Sequence, residues 1–198
     1  MRKPGNIVIG LDLGQKRDPS ALAILEIGED ATGRRDPVTW EWESEPYVNL
    51  VYLERIALGT PYPDVVQHME NLFRDGRLHN CTLVVDETGV GAPIVDLLKR
   101  AQLPCRLVPI TITGGAQDTV ARNGSFHVPK RDLLSCLQLL FDEGRLRIPR
   151  RLLLAEEFVK ELTGFKPGSR DDMALATALA WWWCRKTEAW RSPQGRLI

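Results

Sequence analysis

Hydrophobic positions along the chain follow two periods. Ile7-Val-Ile-Gly-Leu-Asp-Leu-Gly14 is a short, β-branched apolar run closed by glycine, the pattern of a buried strand. Ser20–Ile27 repeats it after a polar turn too short for a crossover helix, which predicts an antiparallel pair. Residues 28–46 are polar and charged, with Trp40 and Trp42 among them, and are expected to form a surface hairpin or loop. Tyr47–Leu58 gives a third strand.

The period then lengthens. Pro63-Asp64 opens a helix that sets Val65, Val66, Met69, Leu72 and Phe73 on one face. Thr82–Asp86 is a fourth strand, Glu87–Ala92 a turn, and Pro93 starts a helix over Ile94–Gln102. Arg106–Ile112 is a fifth strand, and the helical crossovers imply parallel pairing. Gly114–Val128 is expected to be a loop. Lys130–Glu143 is an amphipathic helix with Leu133, Leu134, Leu137, Leu140 and Phe141 aligned and Gly144 as its stop. Arg145–Ile148 reads equally as a small strand or a loop. Helices over Leu152–Leu162 and Asp171–Glu188 follow, then a mobile tail over 190–198. Neither a repeat nor a linker interrupts the pattern, so residues 1–198 are expected to form a single domain.

Charge adds a bias. The 26 Lys and Arg residues balance 26 Asp and Glu, which excludes a generally basic DNA-coating protein. Yet residues 1–98 carry a net −7 and residues 99–198 a net +7. A nucleic-acid surface would therefore be local and drawn from the second half. Four scattered cysteines and three histidines make a structural zinc site a poor reading. With neither a signal peptide nor an apolar stretch near 20 residues, the expected location is the cytoplasm, without membrane contact.

Three acidic positions sit at the ends of apolar elements. Asp12 lies inside Ile-Gly-Leu-Asp-Leu-Gly, Asp86 closes Leu83-Val-Val, and Asp171-Asp172 precede Met-Ala-Leu-Ala. A carboxylate in an apolar strand is costly to bury unless it is compensated. Each also has a plainer role. Asp12 would serve as a turn residue beside Gly14, Asp86 would open the Asp-Glu-Thr-Gly turn, and Asp171 and Asp172 would cap a helix. Strands one and four are natural neighbours in this topology, so Asp12 and Asp86 are expected side by side. Converging carboxylates repel, and a hard divalent cation relieves them.

The order of elements is that of the ribonuclease-H-like α/β fold: a five-stranded mixed sheet, three strands antiparallel and two parallel, flanked by helices. Several segments carry a more specific likeness. Gly10-Leu-Asp-Leu-Gly, with Asp18-Pro-Ser-Ala21, resembles the first-strand motif of the nuclease domain of phage terminase large subunits. Val84-Val-Asp-Glu-Thr-Gly-Val-Gly-Ala-Pro93 is similar to that family's fourth-strand acid and turn. Val128-Pro-Lys-Arg-Asp-Leu133 with Gly144-Arg-Leu-Arg-Ile-Pro149 resembles its later helix and exit, and Arg170-Asp-Asp-Met-Ala-Leu-Ala its closing helix. Arg170 stands where relatives often have another polar residue, and no G-x-x-x-x-G-K-[ST] phosphate loop is present. The chain is thus either an excised nuclease domain or a stand-alone relative.

The resemblance implies a metal-dependent endonuclease that cuts concatemeric viral DNA by two-metal phosphodiester hydrolysis in an infected cell. Asp12 would bridge two Mg²⁺ or Mn²⁺ ions, Asp86 and Asp172 would complete the two sites, and Asp171 would be auxiliary. Lys130, Arg131, Arg145, Arg147 and Arg170, with Arg150, Arg151 and Lys166, are candidates for contacting double-stranded DNA, Lys130 foremost. A packaging ATPase, a small terminase subunit and a portal are the protein partners it implies. Two other readings remain open at this point: a Holliday-junction-resolvase-like nuclease and a non-catalytic DNA- or portal-docking module. The Asp-x-Gly start also occurs in sugar-kinase and chaperone-type ATPase folds, but those need two such domains and a second phosphate loop, and the length counts against them. Trp181-Trp-Trp183 point in different directions on a helix and are read as packing residues.

Overall fold

A computed structural model describes residues 5–14, 18–74, 76–89, 92–121, 125–164 and 170–187. The tail expected over 190–198, and Lys166, lie outside the described residues. Strands β1 (Asn6–Asp12), β2 (Ala21–Arg35) and β3 (Trp42–Arg55) form an antiparallel meander. Helix α1 (Tyr62–Phe73) leads to β4 (Cys81–Asp86), and α2 (Ala92–Arg100) to β5 (Cys105–Thr113). Next come β6 (Thr119–Val120), β7 (Phe126–Pro129), α3 (Lys130–Asp142), β8 (Leu146–Arg147), α4 (Ala155–Thr163) and α5 (Asp172–Lys186). The strands join in one mixed sheet, β6-β7-β5-β4-β1-β2-β3-β8.

The five expected strands are the centre of this sheet, which is eight strands wide. The expected loop Gly114–Val128 carries β6 and most of β7, and the ambiguous Arg145–Ile148 contains β8. These additions have two to four residues each, too few to show a period. They exist because β5 and β3 offer free ladder edges: β7 runs parallel to β5, and β8 parallel to β3. β1 and β4 are parallel neighbours, with Leu11 opposite Val85.

Alternation along the strands sorts the core into two layers. Ile9, Leu11, Leu83 and Val85 face α1 and α2, meeting Val65, Met69, Ile94 and Leu98. Val8, Ala21, Ala23, Leu53 and Val84 face the other way, onto α3, α4 and α5. Helix α5 is buried almost all round, including Trp181, Trp182 and Trp183. The Trp182 indole N–H donates to Asp118 Oδ2 at 2.9 Å and its ring meets Phe126 edge-on, so this tryptophan serves the core. Among the described residues, no helix is long and apolar enough to cross a membrane.

The outer parts of β2 and β3 run beyond the central strands as a hairpin. Asp36 Oδ1 closes its tip by accepting the Val38 and Thr39 N–H groups, both at 2.8 Å. Val38, Trp40 and Trp42 are exposed there, at the end of the sheet away from Asp12.

Gly10 sets the distance between α5 and the sheet. A Cβ at this position would stand 1.8 Å from the carbonyl oxygen of Ala176 and 3.1 Å from the backbone nitrogen of Ala180. Gly10→Ala is therefore expected to force α5 off β1 and to cost more than about 3 kcal/mol, beyond an ordinary overpacked core. Chemical denaturation of the variant would measure this; a loss below about 1 kcal/mol would mean that the helix yields easily.

Candidate active site

The parallel strands β1, β4, β5 and β7 all end on the same side, so the C-terminal ends of β1 and β4 present Asp12 and Asp86 together. Strand parity directs both side chains toward α5: Asp12 follows Val8 and Gly10, and Asp86 follows Val84, on that layer. Helix α5 begins at the same end, which brings in Asp171 and Asp172. Arg55 closes β3 opposite Ala21, which itself pairs with Asp12. Pro129 ends β7 beside Thr113, so Lys130 starts α3 at this edge too.

These groups share one electrostatic environment. Asp12 is buried, and desolvation holds its carboxyl well above the usual carboxylate range; Asp86, Asp171 and Asp172 push it further up, against Lys130. Asp86 is also raised by burial, although Thr88 donates its backbone N–H to Asp86 Oδ1 at 2.8 Å. The turn-opening role of Asp86 is thus real and coexists with its place in the cluster. The turn role of Asp12 has lost one donor, since the Gly14 N–H goes to Ser20 Oγ at 3.1 Å. Asp171, at the start of α5, makes no side-chain capping bond. Asp171 instead pairs with Lys130 Nζ at 2.7 Å, and Asp172 Oδ2 accepts from Arg55 Nε at 2.5 Å.

Asp172 is 3% exposed, and its second oxygen, Oδ1, is buried without a hydrogen-bond partner. A buried carboxylate oxygen in this state marks a place where a cation or water belongs. Among the described residues, no three His, Cys, Asp or Glu side chains already stand as a closed ligand set. Lys130 and Arg55 each draw one acid of α5 to themselves.

Two members of the site have no signal in the sequence reading: Arg55 and Glu161. Arg55 also donates to Glu161 Oε1, and Glu161 Oε2 accepts the Ala174 N–H at 3.2 Å. Burial, followed by the charge of Asp172, raises the Glu161 carboxyl to about 7. Glu161 sits on α4 between the buried Phe158 and Leu162.

The candidate phosphate contacts divide. Lys130 and Arg131 line a groove of about 880 Å³ that passes Asp171, Leu134, Gln138 and Leu139. Arg170 is exposed immediately before Asp171, and Arg150 and Arg151 are exposed elsewhere. Arg147 lies across the sheet in register with Asn49, Glu26 and Ile7, about five residues or ~17 Å of strand from Asp12. It pairs with Asp30 at 2.6 Å and covers the Tyr47 ring. Arg145, mostly buried, pairs with Glu143 at 2.9 Å beside the same edge. The structure does not bring Arg145 and Arg147 to the acidic site.

Comparison with solved structures places the architecture. The chain resembles the large terminase nuclease from thermophilic phage G20c, determined with bound zinc, at a TM-score of 0.54. The two are 23% identical over 89% of this chain and 80% of that one. Weaker likenesses are to RuvC of Thermus thermophilus (TM-score 0.37, 14% identity, 88% and 90% covered) and to that protein in complex with a Holliday-junction substrate (0.40, 12%, 92% and 96%). No family model and no curated protein matches the chain. The fold is ribonuclease-H-like, an α/β class with a mixed sheet between helical layers.

Proposed function

We propose that this chain is a divalent-metal-dependent endodeoxyribonuclease acting on double-stranded DNA, with Asp12, Asp86 and Asp172 as its metal-holding carboxylates. The observation that carries this reading is that β1, β4 and α5 bring Asp12, Asp86 and Asp172, all three buried, to one end of the sheet, where burial and the neighbouring acids push Asp12 toward its neutral form. Proteins seldom collect like charges in a desolvated place without function. The donor set fits the implied metal: oxygen-only ligands suit a hard cation, and Asp172 Oδ1 is an unsatisfied acceptor. A pair of Mg²⁺ or Mn²⁺ ions, when bound, supplies a Lewis acid for activating water and for steadying the leaving 3′-oxygen.

The chain's own residues do the rest. Asp12, central to the cluster, would hold both ions, while Asp86 and Asp172 each serve one. The Thr88 N–H fixes the Asp86 carboxyl, so that group is oriented before any ligand arrives. Asp171 is auxiliary, and its partner Lys130 stands where it can meet a phosphate entering along the groove. Arg131 and Arg170 extend that cationic edge; phosphate contacts position the backbone and need no base sequence. In this reading the enzyme processes viral DNA in the infected cell's cytoplasm beside a packaging ATPase, a small terminase subunit or a portal.

The test is supercoiled plasmid incubated with purified protein in a Mg²⁺ and Mn²⁺ series. Nicked and linear products ending in 5′-phosphates are expected, and Asp12→Asn should remove them. Equal cutting by wild type and variant would assign the activity to a contaminant. Strong preference for a four-way junction over linear duplex would replace the terminase-type substrate with a resolvase-type one.

A further inference from the structure

Arg55 and Glu161 belong to the site by contact, but the nuclease reading gives them no task. Their bonds form one closed path. Ala174, on the first turn of α5, donates its N–H to Glu161 Oε2; Glu161 Oε1 accepts from Arg55; Arg55 Nε donates to Asp172 Oδ2. The path starts and ends on α5, two residues apart, after passing through α4 and the end of β3.

This geometry fixes a group that is otherwise free to turn. The terminal torsion of an aspartate is broad, so burial alone does not set the plane of its carboxylate. The planar guanidinium fork, tied at two nitrogens, does set it. It takes Oδ2 and leaves Oδ1, the other oxygen of the same carboxylate, buried with no hydrogen-bond partner. A guanidinium acting only as a neutralising charge would need neither the anchor on Glu161 nor this choice of oxygen.

We propose that Arg55, anchored by Glu161, is the positioning residue that orients Asp172 so that Oδ1 is the oxygen offered to a divalent cation. This inference rests on the nuclease reading. It separates Asp172, a ligand through one oxygen, from Glu161, which is near the site but faces Arg55 and the α5 backbone.

The experiment is calorimetric titration of Mn²⁺ into the wild type, Arg55→Lys, Glu161→Gln and Asp172→Asn, with metal-free melting curves recorded for each. Arg55→Lys keeps the charge and removes the fork. It should weaken one Mn²⁺ site by about tenfold, the size typical for loss of a group that orients a metal ligand, with its metal-free melting temperature close to wild type. Mn²⁺ binding by a folded Arg55→Lys at wild-type affinity would overturn the proposal, since charge alone would then suffice. Glu161→Gln decides the matter if Arg55→Lys does not fold. Its affinity loss should fall between wild type and Asp172→Asn; a loss as large as that of Asp172→Asn would make Glu161 a ligand, and no loss would remove it as an anchor. A wild type that binds no Mn²⁺ would overturn the nuclease reading itself, a result distinct from either variant failing.

Discussion

Asp12→Asn is expected to raise the melting temperature of the metal-free protein while reducing DNA cleavage by about 10³-fold or more. Most substitutions at buried positions destabilise, so the sign is diagnostic. Asp12 is 8% exposed, at the end of β1, and faces Asp86, Asp171 and Asp172. At neutral pH the folded protein must either keep a proton on this group or hold like charges together in a desolvated place. Asparagine has nearly the same shape, carries no charge and brings an N–H₂ that its carboxylate neighbours can accept. A gain of a few degrees follows for a chain of this size, on the scale of ~2–4 °C per kcal/mol. Cleavage moves oppositely, because several kcal/mol of transition-state stabilisation depend on the ions that Asp12 would hold. Scanning calorimetry in EDTA and the plasmid assay read the two effects on the same preparations. A lower melting temperature would mean that Asp12 is satisfied within the fold and carries no strain for function.

The second large effect is a pH dependence that Mn²⁺ opposes. Asp12 and Asp86 are raised from 3.8, and Glu161 from 4.5 to about 7. Between the unfolded and folded values the native state keeps protons that the unfolded chain has already released, so rising pH favours unfolding. Through Glu161, stability is therefore fully present below 4.5, declines as pH rises toward about 7 and levels off above it. In EDTA the protein should melt at a lower temperature at pH 8 than at pH 5. Mn²⁺ at a hundred times its dissociation constant contributes about 2.7 kcal/mol, or roughly 5–10 °C for a chain of this size. The gain should be larger at pH 8, because metal ligands must be deprotonated. Melting curves across pH with EDTA or Mn²⁺ test both parts; a metal-free protein most stable at pH 8 would contradict the first, and no shift with Mn²⁺ the second.

The acids were legible in the sequence because a carboxylate ending an apolar β-branched run is locally anomalous, as at Asp12 and Asp86. Parallel pairing of β1 with β4 also followed from element order, and that pairing sets the two acids side by side. Arg55 and Glu161 were not legible. The partners of Arg55, Asp172 and Glu161, lie 117 and 106 residues away along the chain, and a charged residue near the end of a strand or on a surface helix looks ordinary. Lys130 was foreseen as a phosphate contact, but its ion pair with Asp171 depends on β7, a strand too short to leave a period. Arg145 and Arg147 show the converse failure. They lie inside a motif-like segment of the sequence, yet β8 joins β3 in register with the start of β1, so chain proximity to α3 did not mean proximity to the site. Which end of a sheet a short edge strand joins is decided by tertiary pairing, and nothing local encodes it.

The most direct measurement is anomalous diffraction from crystals of the wild-type protein soaked in Mn²⁺. Two manganese peaks are expected among Asp12, Asp86 and Asp172, one of them against Asp172 Oδ1, with Arg55 still bonded to Oδ2. Density showing these carboxylates free of manganese, while the ion binds elsewhere or not at all, would contradict the assignment of a metal-dependent nuclease.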